Sequence, residues 1–389
     1  MKKLAIITTH PIQYNAPLFK LISERQNISI KVFYTWEQSK EKVFDEKFGK
    51  EIKWDIPLLE GYEYTFVKNT AKKPNSAKFK GVINPTLNQE IENWQANAIL
   101  VFGWNHDSHF KAMRYFKGKI PVYFRGDSTI IDEKPGIKTI LRRTWLKFIY
   151  RYIDFALYVG TNNKQYFLKH GLKETQLIFA PHAIDNNRFF DNSGDYSKTA
   201  EIWRKELNYS IDDIVLLFVG KFEAKKNPIL LINAAKQLPQ FKFLFVGNGV
   251  LENQMKEESK DFENIKFLSF KNQSTMPIVY RLCNVLVLTS AYNETWGLAV
   301  NEAMACGKAI LVSNKVGCAV DLVENGKNGY IFESNNLKDL VLKIKTFNID
   351  NLKEFGEASK KIICNYNFER ISLVVENSAN SFPKISNIA

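Results

Sequence analysis

Two glutamates eight positions apart, Glu294 and Glu302, stand in a segment whose punctuation suits an anion: Glu294-Thr295-Trp296-Gly297-Leu298, continuing through Glu302 to Gly307. Gly307 is a natural left-handed terminator for a helix beginning around Gly297, and Thr295 is expected to cap its amino end. Outward-pointing N–H groups and the positive dipole end attract negative charge there, and Gly297 and Leu298 leave the backbone accessible. Upstream, Gly220-Lys221-Phe222-Glu223-Ala224-Lys225-Lys226-Asn227-Pro228 brings three lysines within six positions of an apolar run. Cations so placed suit a diphosphate, each charge-assisted contact contributing about 1.5–3 kcal/mol. The GK[ST] ending of a Walker loop is absent. Gly247-Asn248-Gly249 permits positive φ and close approach of a ligand to the backbone, or serves as an ordinary turn.

An acid–base pair of the glycosidase type fits the two glutamates poorly. On one helix, eight residues at 1.5 Å separate them by about 12 Å. Glycoside hydrolases use about 5 Å or 6.5–9.5 Å. Separate roles fit better. A divalent metal is not expected either. The chain has no Asp-x-Asp, and none of its histidines (His10, His106, His109, His170, His182) has an i,i+4 partner. Lysines would then supply the positive charge that a metal supplies elsewhere.

The first half offers acceptor-side candidates. In His10-Pro11-Ile12-Gln13-Tyr14-Asn15-Ala16-Pro17, Asn15 can cap a helix and Pro17 suits its first turn. His10, Gln13 and Tyr14 either project toward a ligand or simply fix the loop. Phe124-Arg125-Gly126-Asp127-Ser128 offers Asp127 to bind a sugar or activate an acceptor hydroxyl. Arg125 either binds a phosphate or forms an inert pair with Asp127. Trp104 in Phe102–Ser108 reads as core.

These segments share a context: each follows a short apolar, β-branched run. The runs are Leu4–Thr8, Ile28–Phe33, Ala98–Phe102, Pro121–Phe124, Phe155–Val159 and Leu177–Ala180, then Asp213–Val219, Phe241–Val246, Ile265–Phe270, Val285–Thr289, Ala309–Val312 and Gly329–Phe332. They are continuously apolar, as strands covered on both faces must be, and helical patterns separate them. This predicts two doubly wound parallel sheets with ligands outside the carboxyl ends of the strands, in a cleft between two domains. Residues 182–198, rich in Asn, Asp and Ser, read as a linker. The expected division is residues 1–190 for a first domain, 191–366 for a second, and 367–389 for a final helix and tail; the family resemblance given below implies that the first binds an acceptor and the second a donor. That helix, capped by Asn367 and running to about Ser378, is expected to cross back to the first domain.

Composition agrees with a globular, two-domain chain: 389 residues, 45% hydrophobic and 24% charged. No apolar run approaches the roughly 20 residues of a membrane span. The apolar start stops at His10-Pro11, too short for a secretory leader, and reads as a buried strand. Four cysteines without CxxC spacing fit neither a disulfide framework nor a zinc site, and suggest the cytosol.

Charge is uneven. Residues 1–200 carry 31 Lys/Arg against 20 Asp/Glu, and residues 201–389 carry 23 against 21. No helix-turn-helix, zinc-finger or RNP-like pattern points to nucleic acid. The cations concentrate in residues 64–89 (Lys68, Lys72, Lys73, Lys78, Lys80) and 136–153 (Lys138, Arg142, Arg143, Lys147, Arg151), both without an acid. The second stretch is an amphipathic helix that either lies on an anionic leaflet or packs on the sheet with its charges solvated.

Glu294 and Glu302, within EtwGLavnEAMACGkaIlvS, resemble the E-x7-E signature of retaining glycosyltransferases of family 4, which have the GT-B fold. Val316–Val323 is similar to that family's GG-x-x-E-L-V segment, and Tyr366–Arg370 to its closing F-S-W-E-R helix. Lys221 and Lys226 stand where the family places its diphosphate-binding cations. The resemblance covers about residues 214–376; the first half is less similar and lacks the usual glycine pair after its first strand.

The resemblance implies a nucleotide-sugar donor whose diphosphate meets Gly220, Lys221, Lys226 and the N–H groups of Gly297 and Leu298, near Gly247. Glu302 would bind the ribose, Glu294 the transferred sugar, and the stretch ending at Lys271 the base. Glu294, Lys221, Lys226 and Asp127 would carry catalysis, with retention of configuration by internal return, no protein nucleophile and no cofactor. The implied acceptor is a glycan or lipid-linked glycan, in surface polysaccharide or lipopolysaccharide assembly, in the cytoplasm or at the inner face of the membrane. The alternatives are a catalytically silent nucleotide-sugar-binding protein and a nucleotide-sugar epimerase of the same fold.

Overall fold

The computed structural model describes residues 1–40, 43–45, 50–52 and 54–381. It divides into two compact units: Met1–Val43, Ile56–Pro181 and Phe368–Ala389 form unit 1, and Phe44–Asp55 with His182–Asn367 form unit 2. Each unit is built on one parallel sheet.

The unit 1 strands are β1 (Lys3–Thr8), β2 (Ser29–Tyr34), β3 (Glu63–Phe66), β4 (Ala98–Phe102), β5 (Val122–Arg125), β6 (Phe155–Tyr158) and β7 (Leu177–Phe179). Their order is β3-β2-β1-β4-β5-β6-β7. Order reverses at β1, whose neighbours are β2 and β4. The segments after β1 and β4 therefore start at a topological switch point, where open α/β sheets bind ligands. Leu4–Ile7 and Ala98–Val101 are buried, as a strand covered on both faces requires. Edge strand β3, Glu-Tyr-Thr-Phe, is half-exposed and polar, so it carries no continuous apolar signal.

Three helices of this unit matter below: α1 (Ala16–Glu24), α2 (Asp107–Phe116) and α3 (Ile137–Tyr150). Asn15 precedes α1 but its side chain makes no capping bond; Pro17 lies in the first turn.

Unit 2 carries β8 (Val215–Val219), β9 (Lys242–Val246), β10 (Ile265–Leu268), β11 (Val285–Leu288), β12 (Ala309–Ser313) and β13 (Gly329–Phe332), in the order β10-β9-β8-β11-β12-β13. The switch point lies between β8 and β11, which are paired neighbours. Its helices include α4 (Pro228–Ala235), α5 (Met276–Arg281) and α6 (Leu298–Ala305). One face of this sheet buries Leu216, Phe218, Phe243, Phe245 and Leu311 with the aliphatic side of α4.

The polar stretch at 182–198 is not an open linker. A short helix, Asn186–Phe189, is capped by the Asp185 carboxylate, and a longer one starts at Asp195. Side-chain capping and a buried Phe189 replace the hydrophobic period the sequence lacks. The 15-residue helix Ile349–Ile363 also went unanticipated, although Asn348 and Asn351 form a capping box at its start.

The final helix, α7 (Phe368–Asn380), is part of unit 1 and packs on α1. Arg25 Nε donates to Glu376 at 2.6 Å and Asn27 Nδ2 at 2.8 Å, while the Tyr123 hydroxyl donates to the Ser378 carbonyl at 2.6 Å. Chain end and chain start thus fold as one body.

Candidate functional site

In unit 2 three loops at the carboxyl ends of β8, β9 and β11 are joined to one another. After β8, Gly220 takes φ +145 and the chain runs through Lys221, buried Phe222 and a single turn at Ala224–Lys226 into α4. The Thr289 hydroxyl, after β11, donates to the carbonyls of Lys226 and Asn227 at 2.9 and 2.8 Å, and Ala291 N–H donates to Lys225 at 2.8 Å. These bonds fix the lysine loop against the segment that carries Glu294.

The Lys226 ammonium forms an ion pair with Glu294 Oε2, and the Ser290 hydroxyl donates to the same oxygen at 2.9 Å. Both charged side chains are mostly buried. Sequence separation hides this pair, 68 residues apart, and it brings together two residues expected at the donor site. Ser290 was not singled out beforehand, though its position four residues before Glu294 at a strand end was the available signal. A negative carboxylate so held by a cation and a hydroxyl is a fixed hydrogen-bond acceptor.

Three residues on, Gly297 has φ +99 and precedes α6. A β-carbon there would meet Val316 Cγ1 at 3.0 Å and lie 3.8 Å from Glu294 Cγ. Gly297, in a left-handed conformation, occupies the cap position that was expected for Thr295. A β-carbon on Gly317 would stand 1.8 Å from the Thr295 carbonyl oxygen, and Gly317 N–H donates to Glu294 O at 2.9 Å. The turn after β12 thus locks the backbone on both sides of Glu294.

Gly247 and Gly249 are required for a different reason from the ligand approach the sequence suggested. Their β-carbons would fall 2.0 Å from Gly220 O and 2.5 Å from Phe222 O. The neighbour that demands glycine is the lysine loop itself, which Phe222 N–H ties to Asn248 O at 2.9 Å. Lys271 sits with its ammonium 5.2 Å from the centre of the Trp203 ring.

Glu302 lies inside α6 and is only 3% exposed. The Tyr280 hydroxyl, from α5, donates to its Oε2 at 2.5 Å. No local pattern links Tyr280 to Glu302, so sequence reasoning missed this partner.

In unit 1 the segments after β1, β4 and β5 carry the remaining candidates. His10 Nδ1 lies 2.9 Å from Thr9 Oγ1, and burial lowers its pKa. Gln13 and Tyr14 are half-buried in the turn that leads to α1. The imidazole of His109 bridges Thr35 Oγ1 at 2.8 Å and the Gly103 carbonyl at 2.9 Å; burial, then neighbouring His106, lowers its pKa to about 4. Arg125 is buried and donates to the carbonyls of Ala180 and Pro181, each at 2.9 Å. Its guanidinium is a strut between β5 and the end of β7, and Asp127 acts on its charge. Asp127 also lines a cavity of about 350 Å³ with Trp104, Asn105, Arg142, Tyr150 and Tyr166. Trp104 packs on the core of this unit and also walls that cavity.

A helix amino end, two loop lysines and a carboxylate at the switch point of a parallel sheet define a class: an α/β protein of the glycosyltransferase GT-B fold. The solved structure of Anabaena HepE with UDP and glucose superposes on 98% of this chain and 100% of its own with a TM-score of 0.70, at 17% identity.

Residues 199–363 match the model of the family described as Glycosyl transferases group 1. It is 28% identical over 214 residues to an uncharacterized glycosyltransferase of Methanocaldococcus jannaschii, covering 53% of this chain and 60% of that one. It is 27% identical over 226 residues to the N,N'-diacetylbacillosaminyl-diphospho-undecaprenol alpha-1,3-N-acetylgalactosaminyltransferase of Campylobacter jejuni, covering 56% and 57%. The chain thus spans somewhat over half the length of these curated relatives.

Proposed function

We propose that the protein is a retaining, metal-independent glycosyltransferase that moves a sugar from a nucleotide-diphosphate donor to a glycan or lipid-linked acceptor. The observation that carries this is the Lys226–Glu294 pair held beside the Gly297-led end of α6. A departing nucleoside diphosphate gains negative charge at the bridging oxygen while the sugar becomes oxocarbenium-like. Fixed lysines and helix N–H groups stabilise that charge more than the ground state.

In this scheme Lys221, Lys226, Gly220 and the N–H groups of Gly297 and Leu298 receive the diphosphate, and Gly247 and Lys271 lie toward the nucleoside. Glu294 accepts hydrogen bonds from the transferred sugar, and Glu302 orients the ribose. A Glu294 carboxylate already engaged by Lys226 and Ser290 is a poor nucleophile, which favours internal return with retention. The acceptor-side residues, all in unit 1, would be His10, Gln13, Tyr14 and those of the cavity at Asp127, with Asp127 receiving the acceptor proton. The Campylobacter relative, whose name describes transfer onto a diphospho-undecaprenol, supports a lipid-linked acceptor; a role in surface polysaccharide assembly at the inner face of the membrane belongs to the same reading.

The test is a screen of UDP-, GDP- and other nucleotide sugars, with and without chelator, read by melting temperature and by hydrolysis or transfer. At 100 times its dissociation constant a donor adds about 2.7 kcal/mol of stability. Turnover that survives chelation and keeps the anomeric configuration is expected. Loss on chelation with recovery in magnesium or manganese would end the metal-free scheme. Tight binding without any turnover would mean a silent binding protein.

A further inference from the structure

Helix α3 turns the wrong face to solvent. Its inward side is Leu146, Ile149 and Tyr150, packed on the unit 1 core. The opposite side should be polar in a helix that covers a sheet. Instead Ile137, Ile140, Leu141, Trp145 and Phe148 are 78, 60, 65, 48 and 36% exposed. At 100° per residue these five fall within an arc of roughly 140° centred opposite the buried side.

The stripe backs onto the unit 1 core through Phe110, itself only 9% exposed, and half-buried Phe79. Phe110 of α2 contacts the rings of Trp145, Phe148 and Tyr152, and Phe79 contacts Phe110. Scattered apolar residues on a surface need no explanation, but a contiguous aliphatic and aromatic patch marks an interaction site.

Charge identifies the partner. Lys138 and Arg142 border the stripe on one side, and Arg143 and Lys147 on the other, by the same helical geometry. Arg143 pairs with Glu133, and Arg151 and Arg114 stack on the patch's own rings. Lys78 and Lys80 flank Phe79 and are exposed. A protein partner's surface mixes both signs of charge, whereas an aromatic stripe with exposed lysines at its rim, where the acid Glu133 is already paired with Arg143 and Lys169, matches the interface of an anionic bilayer.

We propose that the outward face of α3, with the turn carrying Phe79 at its margin, docks the protein on an anionic lipid bilayer, the helix lying in the interface plane. Ile137, Ile140, Leu141, Trp145 and Phe148 enter the acyl boundary, while Lys138, Lys147, Lys78 and Lys80 meet lipid phosphates. This surface is separate from the donor residues of unit 2, so it stands whether or not the transfer reaction does.

The experiment is cosedimentation of the full chain with phosphatidylcholine vesicles, with or without phosphatidylglycerol, at low and high salt. Binding should need the anionic lipid and fall with salt. Each cation at an anionic leaflet is worth about fivefold in partitioning, so Lys138→Gln with Lys147→Gln should weaken binding about 25-fold. Ile140→Asp with Leu141→Asp should abolish it while leaving the melting temperature unchanged, since both side chains are already exposed. Three outcomes would overturn the proposal: no cosedimentation, equal binding to neutral and anionic vesicles, or undiminished binding of the Ile140/Leu141 variant. So would a wild-type dimer that this variant converts to monomer, because the stripe would then be a subunit contact.

Discussion

Lys226 and Glu294 illustrate how two ordinary surface residue types become chemistry when loops hold them together. Were the pair only structural, removing the lysine would cost stability and leave turnover alone. In the proposed transfer it does the reverse. Lys226→Ala should lower kcat by about 100-fold or more, the loss typical of one preorganised donor to a developing anion, with a smaller change in donor KM. Steady-state kinetics at saturating donor checks this; equal kcat would reject the role. Glu302 makes a contrasting case. Its carboxylate is buried and already receives the Tyr280 hydroxyl, so in the proposed transfer Tyr280 would fix the rotamer that meets the ribose. Glu302→Ala should raise donor KM more than it lowers kcat, and Tyr280→Phe should do the same to a lesser degree. An unchanged KM in both would leave Glu302 as a core residue.

Among the elements, α7 determines whether the first unit is whole. Its Glu376 carboxylate lies against Arg25 and Asn27, which flank the carboxyl end of α1. Glu376→Ala strands a partly buried guanidinium and deletes the hydrogen bonds, a loss of about 2 kcal/mol. Urea unfolding followed by a unit 1 probe measures it. At this scale the sequence was informative where strands are buried on both faces: all twelve apolar runs became strands to within two residues at either end. It failed where burial is partial. Edge strand β3 lacks an apolar run, and the segment 182–198 lacks a period because it holds one four-residue capped helix and only the first turn of the helix that starts at Asp195.

For the whole molecule, acid stability follows from groups whose folded pKa values lie below their unfolded ones. His109 falls from 6.5 to about 4 because burial disfavours the imidazolium. Between those values the unfolded chain binds the extra proton, so its contribution is complete above pH 6.5 and is lost as pH falls toward 4. That amounts to about 3 kcal/mol. Burial raises the Glu376 carboxyl, yet hydrogen bonds from Arg25 and Asn27 bring it below the usual carboxylate range. Its share is present above that range and disappears only below it. Unfolding free energy measured from pH 7 to pH 4 should therefore fall, and His109→Gln should flatten the slope; an equal slope would reject the assignment.

What the chain's letters determined alone were the properties that repeat locally. Continuous apolar runs fixed two parallel sheets, and Gly297, Glu294, Glu302 and the lysine loop were visible because strand ends and helix starts have their own chemistry. The tertiary structure decided everything that depends on closure over distance. Lys226 reaches Glu294 across 68 residues, Gly247 is glycine because the Gly220 loop lies against it, and Arg125 is consumed by carbonyls 55 residues away. Packing also settled which side of α3 faces out, since the pattern of an amphipathic helix gives its two faces but not the neighbour that covers one of them.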